Sequence, residues 1–463
     1  MGWASRPHKK WNLDVEQLIG AVYISISQPQ EALKYFNQAL PILQEVGNRT
    51  VEATTLNNIG GVYLSTSQPQ EALKYLNQAL PINRAVGNRV GEAATLNNIG
   101  LVYNSISQPQ EALKYYNQAL PILRQVGDRG GEATTLNNIG AVYNSISQPQ
   151  EALKYFNQAL PILRQVGDRG GEATTLNNIG AAYNSLSQPQ EALKYYNQAL
   201  PIKRQVGDRA GEAATLNNIG GVYDSISQPQ SALKYYNQAL PILRAVGDRA
   251  GEAATLNNIG AVYGRISQPQ EALKYFNQAL PILREVGDRA QEATTLTNIG
   301  AVYNNIGQPQ EALKYYNQAL PIRREVGDRR GESVTLSSIG GVYNSISQPQ
   351  EALKYFNQAL PILQEVGDRA GEAATLNNIG GVYDDISEPQ EALKYYNQVL
   401  PITREVGDRA GEASTLNNIG LVYNNISQPQ EALKYFNQAL PIRRAVGNRA
   451  GEATILNNKL FCI

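Results

Sequence analysis

The chain has 463 residues, and its 40 Lys and Arg balance its 40 Asp and Glu, so it lacks the basic excess that draws proteins to nucleic acid or anionic membranes. Its one cysteine, Cys462, rules out an intrachain disulfide and a Cys-based metal site. No stretch is apolar and long enough for a membrane span or a secretion-signal core; the expectation is a cytoplasmic protein without cofactor or metal, with neither nucleic acid nor membrane as partner.

Residues 1–10 read as a disordered leader. From Trp11 to Ala450 the chain matches itself at an offset of forty residues, which gives eleven tandem units over 11–450. Residues 451–463 restart the unit as GEATILNN and break off into KLFCI, a truncated twelfth unit acting as a C-terminal stub. Its Leu456, Leu460, Phe461 and Ile463 form an apolar surface through which self-association is expected. The first unit diverges most, with Gln17-Leu18 where most copies carry Asn-Asn, as an end cap would.

Residues 131–170 show the pattern. Leu136, Ile139, Gly140 and Tyr143 recur at i, i+3, i+4 and i+7, and Ala152, Tyr155, Phe156, Ala159, Ile162 and Val166 continue the helical period, so each unit is a pair of amphipathic helices. Between them, Ser147-Gln148-Pro149-Gln150 reads as a capping segment: Ser147 as N-cap, Pro149 in the first turn and Gln150 closing a capping box. At the far end Gly167 suits a left-handed helix stop, and Asp168 suits the cap of the next helix. Pro161 and its counterparts fall inside the second helix, which predicts a repeated kink.

Comparison of copies separates core from surface. Position 162 is Ile throughout and is expected to be buried; position 163 is Leu here but Asn83, Lys203, Arg323 and Thr403 elsewhere, and is expected to face water.

Leu136, Gly140, Tyr143, Ala152, Phe156 and Ala159 have the spacing of the tetratricopeptide signature, and residues 11–458 resemble that family. LNNIGAVY resembles the kinesin light chain units, VGDR resembles the turn of Pins/LGN scaffolds, and bacterial signalling proteins carry similar arrays. The resemblance implies an all-α superhelical solenoid that binds proteins, with the first helices lining a concave groove.

Catalysis is not expected, because the only histidine, His8, lies in the leader and no acid, base or nucleophile breaks the repetition. Asp384, Asp385 and Glu388 are the densest carboxylates and read as a solvated patch. Off the packing stripe, the first helices carry carboxamide pairs: Asn57-Asn58, Asn97-Asn98, Asn137-Asn138, Asn177-Asn178, Asn217-Asn218, Asn257-Asn258, Asn377-Asn378 and Asn417-Asn418, joined on the same face by Ala141, Asn144 and Ser145. Two readings stay open for these poor helix formers: hydrogen bonds between units, or a ladder of donors and acceptors for an extended guest backbone. In the kinesin light chains that these residues resemble, groove asparagines clamp an extended peptide. Leu64, Leu101, Asp224, Arg265, Asp384 and Asp385 depart from the repeat and would supply local selectivity. The expected function is a scaffold gripping a protein or peptide segment; the alternative is a sensor or regulatory arm whose effector lies elsewhere.

Overall fold

In a computed structural model, residues 22–23 and 28–460 are described. The leader with His8, Gln17-Leu18 and the terminal Phe461, Cys462 and Ile463 lie outside them. The contacts divide the chain into two compact units, residues 1–242 and 243–463, and both are built from the same hairpins of α-helices.

In the first compact unit, Arg129–Ser145 and Pro149–Val166 form one hairpin and Arg169–Ser185 opens the next. Both turns end their helices in the same way. Gly167 sits at φ 75°, its N–H bonding the Arg164 carbonyl while the Asp168 N–H reaches the Leu163 carbonyl. That pairing is a Schellman motif, and Asp168 then caps the following helix by accepting from the Gly171 N–H at 2.8 Å.

The other turn corrects the sequence reading. Ser147 is no N-cap: it takes the left-handed conformation, φ 59°, with its N–H on the Asn144 carbonyl and the Gln148 N–H on the Tyr143 carbonyl. Gln148 occupies the cap position without a side-chain bond, and Pro149 starts the helix. Left-handed geometry costs an L-residue about 1–2 kcal/mol, and in one unit of the second compact unit Gly307 takes this place at φ 71°. The second helix runs unbroken through Pro161, whose ring lies on the exposed side.

The core is a succession of three-helix clusters. Ala152, Phe156 and Leu160 of one unit pack with Ala173, Leu176, Ile179 and Ala182, and then with Ala199 and Ile202 of the next. In the second compact unit Ala312, Tyr316 and Leu320 meet Leu336, Ile339 and Val342, then Ala359, Ile362 and Leu363. Glycine is required at position 140, where a Cβ would stand 2.6 Å from the Phe156 ring. Toward the turn of each hairpin two tyrosines stack, as with Tyr103 and Tyr115, whose centroids lie 5.3 Å apart.

Position 162 is buried as expected, whereas two other assignments are reversed. Val166 is exposed, as are its equivalents, because the helix is already turning into its Schellman end. Position 163 is buried even where it is polar: Asn83, Lys203, Arg323 and Thr403 are each less than 9% exposed. These side chains stay inside because each finds a hydrogen-bond partner there, for Asn83, Lys203 and Arg323 including the neighbouring cap. Lys203 Nζ donates to Asp208 Oδ2 at 2.7 Å and to Thr174 Oγ1 at 2.8 Å, and Arg323 likewise reaches Asp328 and Thr294. The Lys203 bond holds the Asp208 carboxyl below the usual carboxylate range. Asn83 donates to Thr95 and accepts from Asn88, and Thr403 donates to the Leu400 carbonyl.

A buried carboxylate fastens each second helix to the next first helix. Glu132, 4% exposed, accepts from Arg124 Nε at 2.8 Å and from Arg129 Nη1, an arrangement of charge-assisted bonds repeated at Glu172 and Glu212.

Candidate binding face

Within each compact unit the first helices of successive repeats lie side by side, and the side chains off their packing stripe form a face. The heptad-like burial that points Leu136, Ile139 and Gly140 inward leaves Asn137, Asn138, Ala141 and Asn144 half-buried at the seam between neighbouring first helices.

At this seam the asparagines bond one another. In the first compact unit Asn138 Nδ2 donates to Asn97 Oδ1 at 3.4 Å, Asn178 to Asn137 at 3.2 Å and Asn218 to Asn177 at 3.3 Å, with Asn98 on Asn57 at 3.1 Å. The same acceptors take a second bond from buried threonines: Thr135 to Asn97, Thr175 to Asn137 and Thr215 to Asn177, at 3.1 to 3.2 Å. In the second compact unit Asn298 donates to Asn257 and Asn418 to Asn377. There the ladder is interrupted, since Thr297 and Ser337 replace the acceptor amides and pair by hydroxyl with Thr335 and Thr375. Asn258 and Asn378 are exposed, and Asn417 accepts from Asn458 at 2.9 Å. The hydrogen-bonding between units is therefore present, and sequence reasoning missed both the threonine member and Asn298. The threonine was visible as a residue repeated in ten units, but its packing neighbours hid its polar role.

The departures from the repeat map to this face as well. Asp224 and Asp384 replace the Asn144-type amide and are half-buried; Arg265 and Asp385 are exposed. Burial and the neighbouring Asp385 charge push the Asp384 carboxyl up, against a bond from Asn425. Asn144 itself buries its Oδ1 without a hydrogen-bond partner. Clefts open between first helices, two of which involve these residues. One, of about 490 Å³, is lined by Asn57, Asn58, Gly61, Ser65 and Asn98; the other, of about 460 Å³, surrounds Gly264 and Arg265. Among the described residues no three His, Cys, Asp or Glu side chains gather as metal ligands, and no helix is long and apolar enough to cross a membrane.

The tetratricopeptide repeat profile matches residues 13–85, 88–165, 168–245, 251–325, 331–405 and 371–445. The chain belongs to the tetratricopeptide repeat family. No curated protein matches it. Among solved structures, the tetratricopeptide array is similar to a signal transduction ATPase with numerous domains and a tetratricopeptide repeat sensor, from Pyrococcus horikoshii, with TM-score 0.62 and 14% identity over 79% of this chain and 55% of that one. It is also similar to the apo quorum sensor NprR from B. thuringiensis, with TM-score 0.51 and 17% identity over 74% and 99% of the two chains. A Rap protein complexed with competence and sporulation factor gives TM-score 0.51 and 14% identity over 77% and 98%. At such identities the likeness is one of fold, and the array spans about half the length of the first of these proteins.

Proposed function

We propose that the array is a protein-interaction scaffold whose first-helix face holds an extended peptide segment. The observation that carries this reading is the arithmetic of the asparagine ladder. Each primary amide offers two donors and an acceptor with two lone pairs, and the bonds between units engage Oδ1 of Asn137 and Nδ2 of Asn138, which leaves capacity on both side chains toward the open face. A peptide backbone presents the complementary alternation of N–H and C=O. The same amides thus serve the stack and a guest.

The test separates those roles. Asn137→Asp together with Asn177→Asp keeps Oδ1 as acceptor for Thr175, Asn178, Thr215 and Asn218 but removes the Nδ2 donors. Binding of the full chain to an array of short peptides should weaken, each lost bond being worth about 0.5–1.5 kcal/mol, and it is read well below the melting temperature, which the two half-buried charges lower. Undiminished peptide binding would assign the ladder to the stack alone. A sensor arm acting on an effector carried elsewhere would use the same guest site; the sensors named among the structural neighbours support that variant, and it differs in requiring a second protein that responds to the bound guest.

A further inference from the structure

We propose that the open edge of the hairpins in the first compact unit docks an extended acidic peptide segment, with one guest carboxylate on each of Arg89, Arg129 and Arg169. This edge is separate from the carboxamide ladder of the first helices, and its test is independent of the first-helix reading.

Sister units differ at this edge. Each of these arginines opens a first helix, and its Nη1 donates to the buried glutamate three residues on: Glu92, Glu132 and Glu172. In the second compact unit Arg289, Arg329 and Arg369 make the same bond, to Glu292, Glu332 and Glu372. There, however, Nη2 also donates to a second carboxylate at the end of the same hairpin: Glu325 at 2.9 Å, Glu365 at 2.6 Å and Glu405 at 2.8 Å. A guanidinium in this setting therefore holds two carboxylates at once, one on each arm of its fork. The Arg329 guanidinium keeps the Glu365 carboxyl below the usual carboxylate range.

In the first compact unit the chain does not supply the second carboxylate. Gln125, Gln165 and Gln205 stand where the glutamates stand, and all three are exposed. Among the described residues, Arg89, Arg129 and Arg169 have no ion pair besides the one to the buried glutamate, and their side chains are 47%, 48% and 50% exposed. The side chains of Arg289, Arg329 and Arg369, with their second glutamates in place, are 42%, 43% and 39% exposed. The cap carboxylates Asp128 and Asp168 do not bar a guest anion, because Asp288 and Asp328 cap the same helix starts beside Arg289 and Arg329, where the second glutamate is held all the same. Carboxylate is the favoured class because it is what the sister units bind, and the chain lacks the basic excess of a nucleic-acid binder. Packed helices lie about 8–10 Å apart and an extended chain advances about 3.3–3.6 Å per residue, so glutamates at every third residue of the guest keep step with the arginines.

The triple variant Gln125→Glu, Gln165→Glu and Gln205→Glu fills the three places with the residue that sister units carry there, so the fold is retained. A control triple, Gln118→Glu, Gln158→Glu and Gln198→Glu, adds the same charge to exposed positions about two turns back on the same helices. The full chain is applied to an immobilised peptide of Gly-Ser-Glu repeats, to its Gly-Ser-Gln counterpart and to a DNA duplex, in about 0.1 M salt, where charges more than about 10 Å apart are largely screened. The wild type should bind the Glu peptide in preference to the Gln peptide. Each site contributes about two- to fivefold, so the first triple should lose on the order of tenfold or more in affinity for the Glu peptide, while the control triple keeps it. Equal binding of the Glu and Gln peptides by the wild type, or equal losses in the two triples, would overturn the proposal. A duplex bound more tightly than the Glu peptide would assign these arginines to polyanions in general and overturn it as well. None of these results touches the first-helix reading, whose own variants, Asn137→Asp with Asn177→Asp, leave this edge unaltered.

Discussion

At the scale of single residues, the polar side chains buried at position 163 show how a cation can replace leucine without leaving the core. Lys203 keeps its charge inside because Asp208 and Thr174 receive it. Replacing a buried ion pair with an apolar side chain of similar size is often neutral or stabilising, by up to about 4 kcal/mol, and leucine already fills the equivalent sites at 123, 163 and 243. Lys203→Leu is therefore expected to leave stability unchanged or raise it in urea unfolding, while Asp208→Ala, which also removes a helix cap, lowers it. Asp384 gives a pH-dependent case. Its folded pKa is raised, chiefly by burial and then by Asp385. Its protonated form therefore favours the folded chain below the unfolded aspartate pKa, and that contribution is lost as pH rises through the folded value. At neutral pH the charged Asp384 is a liability. Asp384→Asn should raise the melting temperature at pH 7, with the gain vanishing toward pH 3; a gain that is equal at both would show that charge is not the cause.

At the scale of the helical hairpin, the two turns solve one geometric problem with different residues. Gly167 enters the left-handed region without steric cost, but Ser147 and its equivalents pay it in most units, with Gly307 the exception. Ser147→Gly should stabilise the chain by about 1 kcal/mol, and Gly307→Ser should destabilise it comparably, both read by chemical denaturation. Ion pairs also fasten the two helices within a hairpin, and these differ along the sequence, whereas the buried glutamate clamps join one hairpin to the next. In the second compact unit Arg249, Arg289, Arg329 and Arg369 each reach a glutamate of the following second helix, Glu285, Glu325, Glu365 and Glu405, at 2.6 to 3.0 Å. The glutamates are about 60% exposed, so each pair contributes only about 0.2–1 kcal/mol and is screened by salt. The buried Glu292 and Glu332 clamps, which two arginines hold from opposite helices, carry more of the attachment.

At the scale of the molecule, each cluster of the core joins only adjacent units, so stability is a sum of local interfaces. Chains shortened by whole units should melt at progressively lower temperatures; identical melting would show that interactions reach beyond neighbours. Much of this was legible in the sequence. The forty-residue period, two helices per unit, the glycine stop, the Asp168 cap and the buried Leu136, Phe156 and Ile162 all follow from periodicity and local backbone chemistry, because a helix face and a turn are decided within a few residues of chain. Position 163, Ser147 and the bonding of Asn137 were not, since each depends on a partner that periodicity does not name. Lys203 is tolerated inside by a cap five residues on and a threonine 29 residues back. Asn137 is shared with Thr175 and Asn178 of the next unit. Sequence determines which faces are apolar and where helices stop, through short-range sterics and burial. Tertiary structure alone decides which polar groups find partners across the seam, because a hydrogen bond depends on the distance and angle between atoms far apart in the chain.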